Sequence, residues 1–282
     1  MKTNDTVCLQ SFFGFSKTPF TKYMWAAKMF ESQSQGELLK GLHYWREMRG
    51  IAAVFGKPGL GKSITLRRFR EELDKREYQP YYLWNLRTTP LGFFRSLSRV
   101  LQLPPYQYLA DMFDAVSSAF GRMEEETHKH PLLILDDGDN LTPEVLEYLR
   151  LLTNYQMDCE DRVSLILCGT EVLQGRLREY RNRAFRQRVN YCHSLKPFSI
   201  EDARAYVDFH LKRAEAPPDL FTEGAVTWLY AVSQGVPRCF NQAAVQALIQ
   251  AATYRKERID ENFLQKQVAG NLLLEDYEEE ER

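Results

Sequence analysis

Two rhythms of apolar and polar residues divide this chain. Between Ile51 and about His193, short continuous apolar runs alternate with stretches of helical spacing. The runs are Ile51–Phe55, Leu132–Leu135 and Val163–Cys168, with Tyr81–Leu86 and Val189–His193 as two further strands. Such runs read as strands buried on both faces. A glycine turn and a helix reaching about Arg76 follow the first run. Pro90–Leu103 carries Leu91, Phe94, Leu97 and Leu101 at near-helical spacing, and Tyr108–Glu126 is a further helix. Thr142 reads as an N-cap, with Pro143 at the first helical position and Glu144 in the first turn. Strands that alternate with helices predict an α/β domain built on a five-stranded parallel sheet sandwiched by helices.

After Pro197 the strand pattern stops. Ile200–Arg213, Thr222–Ser233, Arg238–Tyr254 and Asp260–Val268 read as helices of a small all-helical domain. Pro217-Pro218 and Gly235-Val236-Pro237 punctuate them. The first fifty residues differ again. Phe12, Phe13, Phe15, Phe20, Tyr23, Trp25 and Phe30 crowd together, while Gly14 and Pro19 break any period. They predict a packed, irregular strap followed by a helix near Gln35–Glu47. The expected organisation is therefore strap and helix over 1–50, α/β domain over 51–196, helical domain over 197–270 and acidic tail over 271–282.

Composition narrows the function classes. Lys and Arg number 37 against 38 Asp and Glu, so bulk charge is no basis for coating nucleic acid, although a local basic patch remains open. No apolar run approaches the roughly 18 residues a membrane helix needs. The N-terminal residues lack a signal-peptide pattern, which leads to the expectation of a cytoplasmic protein with no membrane partner. Cys8, Cys159, Cys168, Cys192 and Cys239 are odd in number and form no CxxC pair, so they read as reduced thiols.

Chemistry enters at Gly56-Lys57-Pro58-Gly59-Leu60-Gly61-Lys62-Ser63, followed by Ile64 at the start of the predicted helix. This fits G-x-x-x-x-G-K-[ST] in its expected strand–loop–helix setting. Glycines let successive N–H groups turn inward onto phosphate oxygens. Lys62 brings a mobile charge to the β- and γ-phosphates of ATP, and Ser63 offers a hydroxyl to Mg²⁺. Leu132-Leu133-Ile134-Leu135-Asp136-Asp137 complements it. Asp136, at the end of an apolar strand, is suited to the Mg²⁺ water shell, and Asp137 to orienting the attacking water.

This combination resembles the AAA+ ATPases of the ExeA/TniB/TnsC group, which includes the MuB-like transposition regulators. The resemblance runs from Phe12-Phe13-Gly14-Phe15 and Pro19-Phe20 through the phosphate loop and Leu135–Leu141. It continues over Pro143–Glu147, Leu149–Asn154 and Leu167-Cys168-Gly169-Thr170, and ends at Gly235-Val236-Pro237-Arg238. It implies a P-loop AAA+ domain with a helical lid. It further implies that Thr170 is the sensor-1 residue, that Arg238 is the sensor-2 arginine, and that a neighbouring subunit supplies an arginine finger. Arg176, Arg178, Arg181, Arg183, Arg186 and Arg188 crowd the region where the finger belongs. Arg183, Arg186 and Arg188 are the candidates, with Arg186 first; a solvated basic helix accounts for at least half of the six. The group usually has Asp-Glu where this chain has Asp136-Asp137. A carboxylate withdrawn by about one methylene implies slow hydrolysis.

By the same resemblance, ATP favours a homo-oligomer, either ring or helical filament. Pore-lining contacts to double-stranded DNA fall in the acid-free stretch from Arg87 to Gln107, at Arg87, Thr88, Thr89, Arg95 and Arg99. Arginines and short hydroxyls suit phosphates and carry little sequence preference. A solvent-facing amphipathic helix explains the same pattern. The sequence shows neither the membrane helix nor the wall-binding region that accompany the ExeA-like secretion ATPases. On that ground the expected function is a transposition regulator that assembles on target DNA, partnered by a transposase and a target-selection protein. The alternative is an ATP-gated signalling or secretion-assembly scaffold acting on protein partners.

Overall fold

A computed structural model describes residues 8–21, 29–84, 86, 89–154 and 161–272. Arg87, Thr88, Cys159 and the acidic end lie outside the described residues. The chain divides into two compact units, one of Gln35–Lys196 and the other combining Met1–Ser34 with Pro197–Arg282. In chain order the elements begin with α1 (Leu9–Phe13), α2 (Gln33–Met48), β1 (Ile51–Phe55), α3 (Lys62–Glu72) and β2 (Tyr78–Leu83). They continue with α4 (Pro90–Val100), α5 (Leu109–Thr127), β3 (His130–Leu135), α6 (Pro143–Leu152) and β4 (Ser164–Cys168). Next come α7 (Glu171–Arg178), α8 (Arg183–Arg186) and β5 (Val189–Ser194). Helices α9 (Ile200–Ala214), α10 (Glu223–Ser233), α11 (Pro237–Thr253) and α12 (Glu261–Gln267) complete the chain.

The α/β unit is a five-stranded sheet in the order β2-β3-β4-β1-β5, and every pairing is parallel. Strands β1, β3 and β4 are buried at every residue, as their unbroken apolar runs predict. β2 begins three residues earlier than the sequence pattern places it. The added residues include Pro80, which β2 accommodates because it is an edge strand, where a missing N–H costs no ladder bond on the open side. α3 stops at Glu72, short of the expected end. The Asp74 carboxylate and carbonyl accept from the N–H groups of Arg76, Glu77 and Tyr78, so a turn replaces the last helical bonds.

Helix α2 belongs to this unit, where the sequence suggested a leading segment. Trp45 is fully buried, and its Nε1–H donates to Asn190 Oδ1 at 2.8 Å while Asn190 Nδ2 donates to the Arg49 carbonyl at 2.7 Å. These bonds tie the end of α2 to β5. Phe93, Phe94 and Leu97 of α4 pack with Met112, Val116 and Phe120 of α5 and with alternate residues of β1, β3 and β4.

The helical unit is discontinuous in sequence. Phe13, Phe15 and Phe20 of the strap pack in one core with Phe198, Tyr206 and Phe240. α9 begins with a reciprocal capping box between Ser199 and Asp202, and Thr222 and Asp260 cap α10 and α12. Gly235 has φ +69°, and a Cβ there would lie 2.5 Å from the Phe198 carbonyl oxygen, so both the turn and the close approach require glycine. Among the described residues no helix is long and apolar enough to cross a membrane. The described cysteines Cys8, Cys168, Cys192 and Cys239 are free thiols.

Candidate functional site

The carboxyl ends of β1, β3 and β4 carry the candidate chemistry, as in other open parallel sheets. β1 delivers the phosphate loop into α3. Gly61 is the residue before the helix and has φ +92°, which turns the chain without steric cost. Lys62 is buried, and its Nζ donates to the carbonyls of Gly56 at 2.6 Å and Lys57 at 3.1 Å. The ammonium thus sits inside the curl of the loop. Thr65 clamps the first turn by donating from Oγ1 to the Gly61 carbonyl at 2.9 Å. Ser63 is exposed in that first turn. The donor set fits a polyphosphate with a hard cation: inward-turning backbone, one buried ammonium, one hydroxyl and the carboxylate of the neighbouring loop. Ser63 and Asp136 are the residues that would hold Mg²⁺, whose role is to neutralise charge on the β- and γ-phosphates.

Asp136 is 2% exposed at the end of β3. Its Oδ2 accepts from the Tyr82 hydroxyl at 2.8 Å, and its Oδ1 accepts from the Asp137 N–H at 3.0 Å. Burial, then the Asp136 charge beside it, pushes the Tyr82 phenol well above its ordinary range. The same two causes push the Cys168 thiol up. Both groups therefore stay neutral, and Tyr82 remains a proton donor to the carboxylate. Sequence reasoning missed Tyr82: an aromatic residue in an edge strand carries no signal that its hydroxyl faces an acid 54 residues further along the chain.

The two acids after Asp136 have different surroundings. Asp137 is exposed and its backbone is left-handed, with φ +56°. Asp tolerates that region better than most residues. Asp139 is engaged by the next loop. Its Oδ1 accepts from the Thr170 N–H at 2.7 Å, the Thr170 hydroxyl at 3.0 Å and the Leu173 N–H at 3.1 Å. Thr170 itself caps α7, accepting from the Val172 N–H at 3.2 Å. The one hydroxyl hydrogen of Thr170 is thus committed to Asp139, a pairing that fastens the β3 loop to the β4 loop.

The arginine-rich segment resolves into separate duties. Arg176 Nη1 donates to the Leu141 carbonyl, and Arg181 pairs with Glu179 at 2.6 Å. Arg186 Nη1 donates to the carbonyls of Arg178 at 2.7 Å and Leu177 at 3.4 Å, closing the end of α7. Arg183 is exposed at the start of α8, and Arg188 is partly buried after it. On α4, Arg95 and Arg99 are exposed one turn apart, opposite the buried Phe93, Phe94 and Leu97. Thr89 caps that helix, its Oγ1 accepting from the Gly92 N–H at 3.2 Å. Arg238 is exposed in the first turn of α11, within the helical unit.

Known proteins share this fold. Residues 46–177 match the family model described as AAA domain. Over 85% of this chain and 67% of the other, the fold matches Cdc6p of Pyrobaculum aerophilum, with a TM-score of 0.64 at 19% identity. The ORC1 protein of Aeropyrum pernix, solved in complex with DNA, matches at a TM-score of 0.61 and 17% identity over 84% of this chain and 64% of that one. The sheet order, the phosphate loop and these matches define an AAA+ ATPase. Within that class the chain belongs with the ExeA/MuB-like ATPases. It is 30% identical over 271 residues to general secretion pathway protein A of Aeromonas hydrophila, covering 95% of this chain and 48% of that protein. It is also 30% identical over 149 residues to the ATP-dependent target DNA activator B of Escherichia phage Mu, covering 50% of this chain and 42% of that protein. The chain thus spans less than half the length of either relative.

Proposed function

We propose that this chain is an ATP-gated, DNA-binding regulator of transposition that assembles on target DNA and recruits or activates a transposase in the cytoplasm. The observation that carries the reading is the exposed Arg95–Arg99 pair on α4, a helix whose sequence contains no acid. Similarity to a target DNA activator supports it. In this reading Gly56–Ile64 hold ATP, Ser63 and Asp136 hold Mg²⁺, and Asp137 orients the attacking water. Arg238 serves as a nucleotide sensor, whereas Thr170, whose hydroxyl hydrogen goes to Asp139, acts by fastening the two loops beside the nucleotide. A neighbouring subunit of the homo-oligomer supplies the finger, and we place Arg183 first because Arg186 already closes α7. Repetition of Arg95 and Arg99 around a ring or filament brings many weak phosphate contacts to one duplex, so a near-neutral subunit binds well. A target-selection protein decides where assembly starts.

The test is anisotropy on unrelated duplexes over a salt series with ATP, ADP or no nucleotide. Binding should require ATP and weaken with salt, with a log–log slope of about 0.9 per neutralised phosphate. Replacing Arg95 and Arg99 with Gln should lower affinity equally for all sequences and flatten the slope. Absence of binding at low salt with every nucleotide would remove DNA from the account. A second reading is favoured by a specific observation: the match to a general secretion pathway protein covers 95% of the chain, nearly twice the extent of the phage match. There, ATP gates assembly on a protein partner. Retention on that partner without DNA, in the same nucleotide states, distinguishes the two.

A further inference from the structure

The helical unit contains a small pocket, partly open to solvent, among whose lining residues are Lys17, Thr18, Thr21, His210 and Arg213. No acid lines it. It shares no residue with the phosphate loop, and nothing in the proposed function uses it.

Two of its lining residues carry a buried, unpartnered donor atom. His210 is 3% exposed, and its Nδ1 accepts from the Phe20 N–H at 3.1 Å. A neutral imidazole that accepts at Nδ1 carries its hydrogen on Nε2. Burial, reinforced by Arg213, holds the His210 pKa down at about 4, so the ring is neutral at neutral pH and the Phe20 bond selects this tautomer. Among the described residues, neither His210 Nε2 nor Arg213 Nη1 has a hydrogen-bond partner. Buried donors are paired in nearly all native proteins, and an exception calls for an explanation, of which a bound ion is one.

The pocket is also built at a conformational cost. Phe20 has φ +59°, a left-handed backbone uncommon for an aromatic residue, and its ring is 3% exposed. That conformation accompanies the N–H bond to His210. Ser16 anchors the strap beside it, donating from N at 2.9 Å and Oγ at 3.2 Å to the Ala214 carbonyl. Strained, over-determined backbone of this kind collects at ligand sites.

We propose that this pocket binds a phosphate group, with His210 Nε2–H, Arg213 Nη1–H and the Lys17 ammonium as its donors. Two permanent cations without a counter-acid suit a dianion, and donors from two elements suit the several equivalent oxygens of a phosphate better than the flat pair of a carboxylate. The group is either free phosphate or a phosphomonoester.

The experiment uses the full chain saturated with Mg·ADP, so that the phosphate loop is filled. Inorganic phosphate and methyl phosphate are titrated in parallel, with chloride at matched ionic strength as control. The readout is the His210 ring resonance in nitrogen-15 histidine-labelled protein, identified by its loss in His210→Asn. That variant keeps an acceptor for the Phe20 N–H. A saturable shift with inorganic phosphate and not with chloride is expected, and loss of one charge-assisted donor in Arg213→Gln or Lys17→Gln should weaken it about tenfold. ADP affinity should not change in either. A response to methyl phosphate as well assigns the site to phosphomonoesters; a response to inorganic phosphate alone assigns it to the free ion. No saturable shift with either compound, or unchanged affinity in both charge variants, overturns the proposal.

Discussion

The loops at the carboxyl edge of the sheet and the arginine segment of α7–α8 are both rich in charge, yet their charges are held differently. At the sheet edge the decisive groups are buried and fixed by this chain's own atoms: Lys62 by two loop carbonyls, Asp136 by Tyr82. In α7–α8 the charges lie near the surface, and Arg176, Arg181 and Arg186 are engaged locally. A site that is complete within one subunit can be preorganised there. A group meant for a neighbour's site has to stay unengaged, and that leaves it looking like ordinary surface.

The sharpest way to break this comparison is to exchange the roles of two arginines. Arg183→Ala should lower oligomer-dependent ATP hydrolysis about a thousandfold while sparing nucleotide binding. Arg186→Ala should chiefly cost stability, about 1 kcal/mol from the lost helix closure, seen in a denaturant titration. Mixing Arg183→Ala with Lys62→Ala protein should restore turnover, since each subunit supplies what the other lacks. The comparison fails if Arg186→Ala loses hydrolysis and Arg183→Ala keeps it.

The next effect separates two aspartates of one loop. Asp137→Asn keeps a residue suited to φ +56° and should reduce hydrolysis about a hundredfold or more with ATP binding intact. Asp139→Ala removes the acceptor of three bonds and should instead lower stability by about 2–4 kcal/mol, read as a shifted unfolding midpoint. Equal hydrolysis in Asp137→Asn and the parent would move water activation elsewhere. The smallest effect belongs to Tyr82→Phe. Losing one hydrogen bond to a buried carboxylate should weaken Mg²⁺-dependent ATP binding roughly tenfold and leave Mg²⁺-free binding unchanged, measurable by calorimetry.

Legibility in the sequence followed the same division. The phosphate loop and Asp136 were readable because their chemistry requires certain residue types at fixed spacing beside an apolar strand. β1, β3 and β4 were readable because both faces are buried, so the apolar run is unbroken. The start of β2 was not, since Pro80 speaks against a strand unless the edge position is known. Tyr82 and Asp139 act across the sheet through single side-chain atoms, and no local pattern records which carboxylate a hydroxyl will meet. The allegiance of α2 and the strap was hidden for a related reason: Trp45 and Phe20 find their partners far along the chain.

That last feature has a temporal consequence on the ribosome. Phe20 and His210 are separated by 190 positions. At about 5–20 residues per second, the strap emerges roughly 10–40 seconds before the helix it will pack against has been synthesised. Throughout that interval a cluster of phenylalanines waits without its core, while the α/β unit is being completed behind it. The nascent strap is therefore a natural client for a ribosome-associated chaperone. Slowing elongation between residues 35 and 196 should prolong that exposure and lower the yield of folded protein, even though the finished structure would be the same.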